Sequence, residues 1–84
     1  MNRTDYLLNT YPDSIVIEGL DKAIIGISTN CNVIYSVDKI INILVNRDNM
    51  TNEEAFKYFE YNIERALPHM NDGVPPILMN TFPV

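Results

Sequence analysis

A chain of 84 residues makes one domain with a thin core, because a protein of this size buries only about 60–65% of the surface its unfolded form exposes. An apolar fraction of 46% argues against disorder. Eleven acidic against six scattered basic side chains, a net charge of −5, argue against a nucleic-acid binder, which needs clustered Lys and Arg on phosphates.

The acidity suits a soluble protein, or one that meets a basic patch on a partner. Cys31 is the only cysteine and has no internal disulfide partner, which predicts a reducing cytoplasm. No apolar run approaches the length of a membrane span, and no signal-peptide stretch is expected at the start. A core this thin would gain from a homodimer.

In chain order, residues 3–11 read as a short helix or turn started by Thr4 or Asp5 and ended by Pro12, with Tyr6, Leu7 and Leu8 as apolar anchors. Pro12-Asp13-Ser14 is a turn, and Ile15-Val16-Ile17-Glu18 a brief edge-strand candidate broken by Gly19. Ala23–Thr29 is the clearest strand, apolar almost throughout, which predicts a central position or burial on both faces. Gly26 within it marks a bulge or a close approach by another element. Asn30-Cys31-Asn32 should turn the chain, since Asn tolerates positive φ, and Val33-Ile34-Tyr35-Ser36 completes a hairpin. Val33 and Tyr35 share one face of that strand and Ile34 takes the other.

Ser36 caps the next helix. Val37, Ile40, Ile41, Leu44 and Val45 follow the i, i+3, i+4, i+7, i+8 rule, Asp38 and Arg47 suit the helix dipole, and Ile43 lies outside the stripe. After the short connector 48–50 comes the longest periodic stretch, residues 51–67. Thr51 and Glu54 form a capping box, and Met50 and Ala55 are placed for a hydrophobic staple. At about 100° per residue, Ala55, Phe56, Phe59, Ile63, Ala66 and Leu67 fall on one buried face. Pro68 stops this helix, 69–74 is a loop with an Asp-Gly turn, and Ile77–Phe82 reads as a last strand joining the hairpin. The expected architecture is α+β: a three-stranded, mainly antiparallel sheet, two antiparallel amphipathic helices on one face, and a short N-terminal helix.

No catalytic apparatus is legible. Cys31, His69 and Asp72 could form a nucleophilic set only if the fold joined them, and neither Cys31 nor His69 sits in a recognisable motif. One Cys and one His give no zinc-ligand spacing, no phosphate-cradling glycine loop exists, and Asp13, Glu18 and Asp21 read more simply as solvated carboxylates than as a cation site. No cofactor is expected. The informative side chains lie on the long helix. Glu53, Glu60 and Glu64 form an acidic ridge beside Lys57, suited to a basic groove, although a solvated helix face is the simpler account. Tyr58, Tyr61, Asn62 and Arg65 form a second flank, rich in residue types found at interface hot spots. Asn62 borders the core and, if buried, would need a backbone partner in the final loop.

Several segments in order resemble a group of small proteins of unknown function from bacteriophages and their bacterial hosts. They are Ala23-Ile24-Ile25-Gly26-Ile27, Val33-Ile34-Tyr35-Ser36, Asp38-Lys39-Ile40-Ile41, Met50-Thr51-Asn52-Glu53-Glu54-Ala55, Tyr58-Phe59-Glu60-Tyr61-Asn62 and Pro76-Ile77-Leu78. The chain departs from the group where a Gly-containing turn precedes a Thr-Pro; here it reads Arg65-Ala66-Leu67-Pro68-His69. The resemblance implies a phage-like setting in a host cytoplasm and assigns no residue roles. The expected function is a non-enzymatic protein-interaction module, a phage accessory protein that modulates or inhibits a host protein such as a defence nuclease. The alternative is a small-ligand or nucleotide binder with a pocket between sheet and helices. A hydrolase centred on Cys31 and His69 is the third reading.

Overall fold

The computed structural model describes residues 2–81. Helix α1 spans Arg3–Thr10, and its cap is Asn2, not Thr4 or Asp5: the Asn2 Oδ1 accepts from the Asp5 N–H at 2.8 Å. Leu7 is its one buried residue. Three hydrogen bonds tie this helix to the chain ahead. Asp21, at the start of a 3₁₀ turn over Asp21–Ala23, accepts from the Thr4 N–H at 2.7 Å, and the Arg3 guanidinium donates to the Lys22 and Ile24 carbonyls at 3.3 and 3.0 Å.

Strand β1, Ile24–Ile27, and strand β2, Val33–Ser36, form the expected antiparallel hairpin. The register slips between Ile24 and Gly26, so Gly26 does mark a bulge. At the turn the left-handed residue is Cys31 itself (φ 67°), not one of the flanking asparagines. β1 is not central. It is an edge strand with β2 on one side only, and Ile25 and Gly26 are exposed. The segment 15–18 makes no strand; only Ser14 forms an isolated bridge, with Val74.

β2 runs directly into helix α2, Val37–Arg47, whose first turn is capped by Ser36 Oγ accepting from the Lys39 N–H at 3.3 Å. Val37, Ile40, Ile41 and Leu44 are buried as the periodicity requires, and Ile43 is half-buried against the core. Asn49 (φ 56°) turns the chain out of α2, with the Asp48 and Met50 N–H groups both donating to the Leu44 carbonyl.

Helix α3, Asn52–Phe59, carries the full capping box of Thr51 and Glu54. It is shorter than the periodic stretch. From Glu60 to Glu64 the chain widens into a π turn, sealed by the Arg65 N–H on the Glu60 carbonyl at 3.1 Å, and a 3₁₀ turn over Leu67–His69 follows. Ala55, Phe59 and Ile63 are buried, but Phe56 is 52% exposed and Ala66 and Leu67 are only half-buried. Those three sit at the margin of the stripe, beyond the reach of a sheet only three short strands wide.

Strand β3, Ile77–Met79, pairs with β2 in parallel, so the sheet is mixed, in the order β1-β2-β3. The reason is topological. β2 leaves through α2 and α3 pack against each other, and this long crossover returns the chain in the same direction. Phe82, assigned by the sequence to this strand, lies outside the described residues. Paired residues share a face, so Ile24, Val33 and Tyr35 belong to the buried side with α2 and α3, while Gly26, Ile34 and Ile77 look the other way and are less covered.

The segment before β3 is held by backbone. The Ile15 N–H donates to the Val74 carbonyl and the Val74 N–H to the Asp13 carbonyl, both at 2.8 Å. A Cβ at Gly73 would collide with the Asp13 carbonyl oxygen, which is why that turn needs glycine.

Candidate interaction surface

The buried stripe Ala55, Phe59, Ile63 divides the surface of α3 and the π turn into two flanks. On one side stand Tyr58, 42% exposed, Tyr61, 59% exposed, and Arg65, whose guanidinium carbon lies 4.3 Å from the Tyr61 ring centre. That distance is a cation–π contact, worth about 0.5–1 kcal/mol at an exposed site. Asn62 is exposed, not buried against the final loop; its side-chain amide donates to the Tyr58 carbonyl at 3.2 Å. Within the predicted Tyr/Arg flank, Arg65 thus touches Tyr61 and Asn62 touches the Tyr58 backbone.

On the other side, Glu60 and Glu64 border a cleft of about 330 Å³ whose apolar walls are Val37, Phe56, Phe59 and Leu78. Glu53 stands apart from the cleft and pairs with Lys57 at 3.3 Å, in full solvent contact. Of the three acidic residues on the ridge, Glu60 and Glu64 line the cleft and Glu53 pairs with Lys57. Phe56 joins this flank as an exposed ring, a feature that periodicity had assigned to the core.

The rest of the molecule offers less for chemistry. Cys31 is half-buried, and its carbonyl accepts from the Ser14 hydroxyl at 2.6 Å, while His69 is exposed in the last 3₁₀ turn. Among the described residues, no three His, Cys, Asp or Glu side chains converge as metal ligands. A depression of about 560 Å³ between the Gly19–Lys22 segment and α2 carries polar groups, but two of its charged side chains are engaged within the fold. Arg47 donates to the Gly19 carbonyl at 2.6 Å and to Asp48 at 3.0 and 3.1 Å; Asp21 accepts from Thr4. Those bonds hold the Asp21 and Asp48 carboxyls below the usual carboxylate range, through the Thr4 backbone N–H and the Arg47 side chain respectively.

Among the described residues no helix is long and apolar enough to cross a membrane. Comparison with protein-family models, with curated proteins and with solved structures yields no match.

Proposed function

We propose that this chain is a non-enzymatic protein-interaction module that engages its partner through α3 and the π turn. One observation carries the reading: three large aromatic rings, Phe56, Tyr58 and Tyr61, are exposed within a single helical segment. Contiguous exposed apolar patches on a protein surface mark contact sites, and Tyr and Arg supply the anchors of interface hot spots. The Tyr58, Tyr61, Arg65 flank forms the anchor, and Glu60, Glu64 and Glu53 set the sign of the partner. The complementary surface is basic, with apolar pockets between its cations. The resemblance to phage and bacterial proteins supports placing that partner in a bacterial host cytoplasm, where binding would modulate or inhibit it.

A photo-crosslinking residue at Tyr61, irradiated in bacterial lysate, should trap a defined protein, and the same residue at exposed Thr29 should not. Equal trapping from both positions, or from neither, would contradict the assignment. Solution mass of the purified chain separates a foreign partner from a second copy.

A further inference from the structure

We propose that the open edge of β1 is a second docking site, which takes an extended, acidic and apolar peptide segment by strand addition. The site shares no lining residue with the surface on α3 and does not rest on that reading. Among the described residues β1 has no strand beyond it, so its outer side past the Ile24 carbonyl, which Arg3 occupies, is open to a further strand. Natural sheets shield such an edge with charge, a bulge or a covering element; here Arg3 and the bulge shield its start, and past them the edge opens into a groove of about 610 Å³ between α1 and β1. Its floor is apolar, from Leu7, Ile24 and Ile27, and its walls are Tyr6 and Ile25, both large and exposed. Gly26 leaves a gap in the middle: a Cβ built there meets no atom within 4 Å.

Charge complementarity names the occupant. The groove is lined by two cations, Arg3 and Lys39, and by no carboxylate, in a chain whose net charge is −5. Neither cation forms an ion pair among the described residues. Asp21 feels the Arg3 charge, yet its carboxylate is turned to the Thr4 N–H. Arg3 also occupies the Ile24 carbonyl, so added pairing begins at Ile25 and the guanidinium caps the incoming strand at that end. A second copy of the chain is the poorer occupant, because the β1 edge it would bring carries no carboxylate to meet Arg3 and Lys39. Two cations are likewise too few to hold a phosphate backbone. An extended segment alternating valine or isoleucine with glutamate would place apolar side chains on the floor and carboxylates at the rim, while its backbone continues the ladder.

The test is fluorescence anisotropy with a short labelled peptide alternating valine and glutamate, on the whole protein. Controls are the valine–lysine peptide and the acidic peptide N-methylated on alternate residues, which removes the ladder donors. The acidic peptide should bind in the micromolar range, the other two at least about tenfold more weakly. Lys39→Glu changes an exposed side chain, and Gly26→Leu adds bulk at a position where a Cβ has no atom within 4 Å; each should weaken binding about tenfold with the circular dichroism unchanged. Amide shifts on titration should centre on Ile25–Ile27. Undiminished binding by the N-methylated peptide, or by folded Lys39→Glu, overturns the proposal, as does an acidic peptide that fails to bind wild type.

Discussion

The backbone N–H of Ile17 donates at 2.8 Å to the hydroxyl of Tyr35, a side chain with no exposure to solvent. This bond pins the irregular segment ahead of the 3₁₀ turn to the central strand of the sheet. It explains why residues 15–18, though β-branched, need no strand partner for that amide.

Removing the hydroxyl tests the bond. Tyr35→Phe keeps the ring and leaves the Ile17 N–H without its acceptor, which should cost about 1–3 kcal/mol in urea unfolding at neutral pH. Burial also raises the pKa of the Tyr35 hydroxyl above the ordinary tyrosine value. A raised folded-state value means that the stabilisation is complete below the unfolded value of about 10 and is lost as pH rises through the folded one. Wild type should therefore lose stability above about pH 10 more steeply than Tyr35→Phe. Parallel alkaline limbs for the two proteins would contradict this.

Gly73 and Gly26 should respond oppositely to alanine. At Gly73 the new Cβ meets the Asp13 carbonyl, a backbone atom in the bridge that holds the β3 approach, so a loss of about 1–3 kcal/mol is expected. At Gly26 the Cβ points into open space, and alanine should be neutral or stabilise by up to about 1 kcal/mol through the unfolded chain. Denaturation midpoints of the two variants decide it.

The capping box on α3 gives a pH-dependent signature. The Thr51 backbone N–H, then its hydroxyl, holds the Glu54 carboxyl below the ordinary glutamate range. A lowered folded value contributes stability above the unfolded value of about 4.3, and that contribution disappears as pH falls through the folded one. Thr51→Ala should cost about 1 kcal/mol at neutral pH. In an NMR titration it should return the Glu54 carboxyl only part of the way to its ordinary value, because alanine keeps the backbone N–H and loses the hydroxyl.

Stability and binding should separate on the Tyr/Arg flank. Tyr58 and Tyr61 are exposed, so Tyr58→Ala and Tyr61→Ala should each change unfolding free energy by no more than about 1 kcal/mol, including the lost cation–π contact at Tyr61. A much larger loss from Tyr58→Ala or Tyr61→Ala would mean that the rings serve the fold and not a partner.

Much of this fold was legible because several signals coincided. α2 is readable from its unbroken stripe, Ser36 at one end and Arg47 at the other, and the start of α3 from Thr51 and Glu54. What escaped depends on neighbours that sequence does not display. An apolar run such as 23–29 looks the same in a central strand and on an edge that borders a groove. The direction of β3 is set by a crossover, not by its own residues. Phe56 satisfies helical periodicity, yet nothing extends far enough to cover it, and the π turn at Glu60–Glu64 leaves no residue signature. Of the surfaces, the Tyr58–Arg65 flank follows from residue type on one element. The β1 groove joins Arg3, Gly26 and Lys39 from three elements, and only the folded chain brings them together.

The most direct test of the central claim is a quantitative pull-down from bacterial lysate with wild type and the triple variant Tyr58→Ala/Tyr61→Ala/Arg65→Ala, each first shown to be folded. Wild type should recover one protein in stoichiometric amount, and the triple variant should lose it. Recovery of the same protein at the same level by both would contradict the account, as would wild type that recovers nothing.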